Sequence, residues 1–234
     1  MSLPIVILAG GLATRLRPLT DKIPKALVEV AGRPFLEHQI GLLKQNGIAE
    51  IILCVGFLGE MIQERYGDGD ALGVRMRYSF DGPKLLGTGG AVKKAAEFLP
   101  DAFFVLYGDS YLPVDYQAVG RAFEEACKPA LMAVFANSDA WDKSNVWFDN
   151  GKIRLYSKRQ KLPEMRYIDY GLIICSRQIF DDSPSDVPFD LADTLENLSR
   201  KGQLAGHEVD QRFYEIGSLA GLAELDRLLA VRGK

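Results

Sequence analysis

Short apolar runs alternate with helical stripes through the first 136 residues of the chain. Ile5–Leu8, Ile51–Val55, Phe103–Leu106 and Leu131–Phe135 are almost unbroken apolar segments, and Val74–Ser79 is a further extended one. Runs without polar alternation suit strands covered on both faces. Between them, Leu36, Ile40 and Leu43 recur at helical spacing, with Gly47 where a helix end takes a left-handed residue. Ala91, Val92, Ala95 and Phe98 read as one face of a second helix, and Val119, Phe123 and Ala126 as that of a third. The rhythm predicts an α/β fold: a Rossmann-like three-layer sandwich with a mixed, mainly parallel sheet.

After about Ala136 the pattern changes. Val146–Phe148 and Ile153–Tyr156 flank Asn150-Gly151, a dipeptide that favours a tight hairpin turn. Tyr167–Cys175 reads as another strand, and Leu191–Ser199 and Leu219–Val231 as helices. No linker rich in Pro, Gly or Ser interrupts the chain. One domain over 1–234 is therefore expected, with a doubly wound half at about 1–136 and a half that carries the hairpin at about 137–234.

The 234 residues carry 47% hydrophobic and 25% charged side chains and a net charge of -3. That balance supports a packed core and argues against a general nucleic-acid binder, which needs a basic face. Cys54 and Cys175 lie inside apolar runs and read as buried thiols, and no Cys/His cluster has zinc spacing. His38 and His207 stand alone. No signal-peptide pattern and no apolar run near ~20 residues appears, so a cytoplasmic protein away from membranes is expected.

Four segments carry candidate chemistry, each at the carboxyl end of a strand, where open parallel sheets bind ligands. Leu8-Ala9-Gly10-Gly11 leaves the first strand towards Arg15, Arg17 and Lys25. Glycines let backbone amides approach a phosphate, and three cations nearby favour an anion. The segment is not a P-loop, since GxxxxGK[ST] is absent. Leu86-Gly87-Thr88-Gly89-Gly90-Ala91 opens a helix whose N-terminal amides suit polar or anionic groups. Its likeness to a dinucleotide fingerprint fails at Val92. Asp109 follows the Phe103–Leu106 strand directly, and Glu215 stands in a short strand before a helix.

Together these residues resemble the sugar-1-phosphate nucleotidyltransferases, the nucleoside-diphosphate-sugar pyrophosphorylases, whose fold is described as GT-A-like. The pattern GGxGTRLxPLT…PK matches Gly10–Thr20 and Pro24-Lys25 with one departure, Ala13 for glycine. Leu86–Ala91 is similar to the LGTGGA segment, and Gly108-Asp109 to the metal-binding GD. Within the family the pattern is closest to the mannose- and heptose-1-phosphate guanylyltransferases, with the N-acetylmuramate-1-phosphate uridylyltransferases near. The resemblance implies GTP and mannose- or heptose-1-phosphate as substrates, Mg²⁺ as cofactor, release of pyrophosphate, and room for a homodimer.

It also implies a nucleotide-binding half at about 1–136, a sugar-phosphate-binding half at about 137–234, and a set of site residues. Leu8, Ala9, Gly10, Gly11, Leu86, Gly87 and Gly90 would line the nucleotide site. Asp109 and Glu215 would hold Mg²⁺, the latter where relatives carry aspartate. Arg15, Lys25 and Lys158 would be the catalytic cations, Lys158 standing in Ser157-Lys158-Arg159 where the family has EKP. Asn145, Asp169 and Gly171 would meet the sugar. Two other readings are open. One is a phosphocholine cytidylyltransferase-like enzyme with an aromatic box from Trp147, Tyr156, Tyr167 and Tyr170; the other is a catalytically silent nucleotide-sugar-binding protein.

Overall fold

A computed structural model describes residues 3–184 and 187–232. In chain order its elements are β1 (Ile5–Leu8), β2 (Glu29–Val30), β3 (Arg33–Pro34), α1 (Phe35–Gln45), β4 (Glu50–Val55), α2 (Gly59–Tyr66) and β5 (Arg75–Phe80). There follow α3 (Gly87–Ala95), β6 (Ala102–Tyr107), β7 (Ser110–Tyr111), α4 (Tyr116–Ala126) and β8 (Ala130–Ala136). The remainder comprises β9 (Val146–Asp149), β10 (Lys152–Tyr156), β11 (Tyr167–Ser176), α5 (Leu191–Arg200), β12 (Leu204–Val209), β13 (Tyr214–Glu215) and α6 (Leu219–Arg232).

One nine-stranded sheet runs β5-β4-β1-β6-β11-β8-β12-β10-β9. Its first four strands are all parallel, as their helical crossovers require. The expectation of a mainly parallel sheet holds only there. β11 lies antiparallel to both β6 and β8, β10 is antiparallel to β9 and β12, and only β12 runs parallel to β8. The reason is connectivity: β8, β9, β10 and β11 follow one another without a crossover helix, and strands so joined return antiparallel. β9 also pairs with β11 at Val146 and Tyr167, so this end of the sheet curls back on itself.

The unbroken apolar strands reflect burial on both faces. In β1, Ile5 and Ile7 enter a core with Leu36, Ile40 and Leu43 of α1 and Val119 of α4. Val6 enters the opposite core, with Val92 of α3 and Leu195 of α5. Each such side chain fully removed from water contributes about 1.5–3 kcal/mol. A third cluster joins Val30, Phe35, Tyr111 and Ile216 to Leu225 and Leu229 of α6, which docks this last helix beside β13.

Local signals behave as their chemistry directs. Asn150 (φ 49°) and Gly151 (φ 74°) are both left-handed, as the primed turn of the β9–β10 hairpin needs. Gly47 takes φ 75° after α1. Phe98, by contrast, does not continue the buried stripe of α3. The helix tightens into a 3₁₀ turn at Ala96–Phe98, which rotates Phe98 out to 43% exposure while Leu99 is buried. Cys54 and Cys175 are buried free thiols, and burial pushes the Cys175 thiol up to about 12.

Candidate active site

The carboxyl ends of β1, β4 and β6 and the amino-terminal half of the antiparallel β11 open into a single cleft of about 480 Å³. Its first wall is the loop after β1. Ala9 N donates to Cys54 O at 2.8 Å, which carries the chain across β4 before it turns. A Cβ on Gly10 would lie 3.1 Å from Gly56 N, so this glycine serves a close backbone approach. One on Gly11 would meet nothing within 4 Å. The space beside Gly11 opens on the cleft, where a ligand's phosphates could meet bare backbone. Ala13, the departure from the family pattern, sits at φ 48°, the left-handed conformation glycine adopts without strain.

Beyond this turn Arg15 and Lys25 face the cleft. Arg17 does not belong with them: it pairs with Asp21 at 3.2 Å on the exposed side of the loop and is not among the cleft's lining residues. Lys25 Nζ donates to Asp109 Oδ2 at 2.9 Å, with both side chains mostly buried. Asp109 is placed by Gly108, whose Cβ would fall 2.2 Å from Leu8 O; only glycine lets the end of β6 lie so close to β1. Glu215 reaches the same point through the pairing of β13 with β7, in which Glu215 opposes Ser110. Ile216 N then donates to Asp109 O at 2.9 Å, tying the two acidic segments together.

Gly217 marks where the charges converge. A Cβ built there would lie 3.4 Å from Asp109 Oδ2, 3.4 Å from Glu215 Oε1 and 3.1 Å from Arg15 Nη2. Burial, and next the charge of Asp109, push the Glu215 carboxyl above the ordinary glutamate range, against the pull of Arg15 and Lys25. Two oxygen-bearing acids around one gap, one of them with an unfavourable negative charge, fit a hard divalent cation. No cluster of three or more His, Cys, Asp or Glu that could hold a metal occurs among the described residues. The remaining ligands would then be water and substrate oxygens, as Mg²⁺ commonly accepts.

The segment Leu86–Ala91 differs from expectation. Gly89 N and Gly90 N at the start of α3 donate to Phe189 O, so these amides are not free for an anion. A Cβ on Gly89 would lie 2.2 Å from the Phe189 ring, and one on Gly87 2.6 Å from Phe189 O. These glycines let the loop before α5 close over the helix. Gly87 and Thr88 line the cleft; Leu86 and Gly90 do not. Leu86 is buried with its N–H on Asp81 Oδ2, and Gly90 packs under Val187 and Phe189.

Across the cleft lies a wall of side chains. β11 carries a bulge between Asp169 and Ile173, where Gly171 takes φ 92°. A bulge re-aims the residues beside it, and here Asp169 faces the cleft. Its carboxylate accepts from Gly171 N at 3.0 Å, Tyr107 OH at 3.2 Å and Tyr156 OH at 3.4 Å. Burial nonetheless pushes it above the ordinary aspartate range. Asn145 Oδ1 accepts from Asp169 N at 2.9 Å. Lys158 lies over the Tyr107 ring, 5.6 Å from its centroid, and its charge acts on Asp169 and Asp190. The preceding Ser157 is buried and accepts from Arg159 N and Gln160 N, a turn that presents Lys158.

The aromatic box is not assembled. Tyr156 and Tyr170 belong to cores on opposite faces of the sheet, and Tyr167 packs edge-to-face with Phe148. Asp81, Tyr107, Asp142 and Lys143 line the cleft without having been singled out in the sequence. No motif surrounds the acid Asp81, Tyr107 is one more aromatic at a strand end, and Asp142-Lys143 reads as an ordinary solvated loop.

Residues 5–145 match the nucleotidyl transferase family. The UTP–glucose-1-phosphate uridylyltransferase of Synechocystis sp. is 32% identical over 208 residues, covering 81% of this chain but 53% of its own length. The D-glycero-α-D-manno-heptose 1-phosphate guanylyltransferase of Campylobacter jejuni is 29% identical over 212 residues, covering 91% of this chain and 93% of its own. Among solved structures, HddC from Yersinia pseudotuberculosis, complexed with GMP-PN, superposes with a TM-score of 0.82 at 24% identity over 97% of this chain and 100% of that one. At that identity the likeness is one of fold.

Proposed function

Because the chain belongs to the nucleotidyl transferase family, we propose that it transfers a nucleoside monophosphate from a nucleoside triphosphate to a sugar 1-phosphate, releasing pyrophosphate. The observation that carries this reading is the convergence of Asp109, Glu215, Arg15 and Lys25 in one cleft that Lys158 enters from the other side. We put GTP with mannose- or heptose-1-phosphate first, since the guanylyltransferase relative matches this chain over 93% of its own length.

The chemical problem is to bring two anions together. At ~4 Å and an effective dielectric near 20, each pair of unit charges repels by about 4 kcal/mol. Lys25, held by Asp109, would place its ammonium among the reacting phosphates. Arg15 would stabilise the charge that gathers on the departing pyrophosphate. Lys158 would hold the acceptor phosphate in line, and no general base is needed because its attacking oxygen is already ionised. Asp109 and Glu215 would hold a Mg²⁺ ion, which would supply Lewis-acid neutralisation of triphosphate charge. Gly10, Gly11 and the backbone around Leu8 and Ala9 would border the nucleotide. Asp169, already fixed by three donors, retains lone pairs for a sugar hydroxyl beside Asn145 and Gly171.

The reading includes a cytoplasmic enzyme, where a free, exposed thiol such as Cys127 stays reduced. It is tested by a matrix of common nucleoside triphosphates against a panel of sugar 1-phosphates, with phosphocholine as the contrasting acceptor and pyrophosphate release as readout. Release with a sugar 1-phosphate is expected. Release with phosphocholine alone, or with nothing, would reject the proposal.

A further inference from the structure

The loop between β8 and β9 brings Asp142, Lys143 and Asn145 to the cleft, and it is held from two sides. On the inner side Asn137 Nδ2 donates to Asp142 O at 2.7 Å and to Ser144 Oγ at 3.0 Å, while Lys161 Nζ donates to Asp139 Oδ1 at 2.7 Å. On the outer side Trp141, which is 52% exposed, reaches across. The Arg212 guanidinium lies 3.4 Å from the centre of the Trp141 ring and 4.9 Å from that of Tyr214. Its other edge is bidentate to Glu224 of α6, with Nη1–Oε1 at 2.5 Å and Nη2–Oε2 at 2.7 Å.

Trp141 belongs to none of the three hydrophobic clusters described, so packing into a core does not account for this arrangement. A planar guanidinium fixed by a carboxylate fork and offered face-on to an aromatic ring is a rigid platform. It joins the loop carrying Asp142 and Lys143 to the segment carrying Glu215, three residues after Arg212.

We propose that Arg212 is a positioning residue which, through Trp141 and braced by Glu224, holds the loop that ends in Asn145 beside Asp169 and so sets affinity for the acceptor. This rests on the nucleotidyl-transfer reading above. Neither Arg212 nor Trp141 lines the cleft, so both act through the loop.

The test uses the full-length protein and the sugar 1-phosphate that it turns over fastest. Trp141→Ala and Arg212→Ala should each raise the KM for that acceptor about tenfold and leave the triphosphate KM within about twofold. The double variant should be no worse than either alone, because the pair acts as one unit. Trp141→Phe should recover most of the affinity, and Arg212→Lys, which lacks the planar fork, should not. In a Trp147→Phe background Trp141 is the sole tryptophan, and Arg212→Ala should increase its quenching by acrylamide. An unmoved acceptor KM, equal shifts in both KM values, additive single effects or unchanged quenching would each overturn the proposal. Wild-type protein that turns over no sugar 1-phosphate counts against the nucleotidyl-transfer reading and removes the acceptor role with it. An active wild type with an unmoved Arg212→Ala acceptor KM counts against the positioning role alone.

Discussion

The two walls of the cleft are made of different material. On the side proposed for the triphosphate, backbone dominates: the turn after β1, the Gly108 crossing over Leu8 and the empty space beside Gly11 are all set by glycines at the ends of parallel strands. Across from it, side chains dominate: Lys158 on a serine turn, Asp169 on a strand bulge and Asn145 at the end of a loop, all on the antiparallel part of the sheet. A backbone-built surface leaves few residue types able to make it, so its sequence is constrained. A surface built from side chains can be reached by several residues from several directions. This is why the first 110 residues match the family pattern closely, while the acceptor side keeps Lys158 and loses its neighbours.

The largest test of that division lies at the seam. Asp109→Asn should reduce turnover by at least roughly a hundredfold, read as pyrophosphate release across a Mg²⁺ titration, with the fold retained. Full activity in excess EDTA would remove the metal from the account. Next is Glu215→Gln, expected to weaken Mg²⁺-dependent turnover about 10- to 100-fold. This variant also has a stability signature. The carboxyl of Glu215 is raised by burial and by Asp109, so the folded protein holds its proton more tightly than the unfolded chain does. That contribution is full below the ordinary glutamate range and is lost as pH rises through the raised value. Without metal at neutral pH, Glu215→Gln should therefore hold or raise the Tm. A helix-capping role for Glu215 predicts the opposite pair: a lower Tm and near-normal catalysis.

On the side-chain wall, Lys158→Ala should raise the acceptor KM roughly 10- to 100-fold, as expected for losing a charged contact, and spare triphosphate binding. If triphosphate KM rises equally, the two walls are not separate. The smallest effects should come from two glycines that look alike in sequence. Gly89→Ala drives a methyl into the Phe189 ring and should cost roughly 1–3 kcal/mol in urea unfolding, a packing penalty. Gly11→Ala enters open space and should leave unfolding unchanged while raising the triphosphate KM. Reversal of that pattern would make Gly11 structural and Gly89 a ligand contact.

Much of the molecule was legible in local pattern. Each apolar run from Ile5 to Cys175 became a strand, the Asn150-Gly151 turn formed as its left-handed residues require, and Gly10, Gly11, Arg15, Lys25 and Asp109 meet in one cleft. Those features depend on backbone conformation or on immediate neighbours, which a sequence displays directly. Short elements were harder. The eight-residue α2 and the half-polar β12 carry too few apolar positions for a period to emerge.

What only the tertiary structure decided depends on residues far apart in the chain. Strand direction in the second half follows from connections without crossover helices, and periodicity within a strand does not register direction. The glycines of Leu86–Ala91 look suited to an anion until Phe189, about a hundred residues on, is seen taking the amides of Gly89 and Gly90. Arg17 looks like a phosphate ligand until its pairing with Asp21 turns it away. Glu215 becomes a partner for Asp109 only through the two-residue pairing of β7 with β13, and Asp142 and Lys143 reach the cleft only because their loop is held from both sides. The sequence by itself determined the strands, the turns and the charge around the first loop, because local sterics and burial settle these. Which acids and cations face one another was left to packing, because electrostatic partnership depends on distance in space and not on distance along the chain.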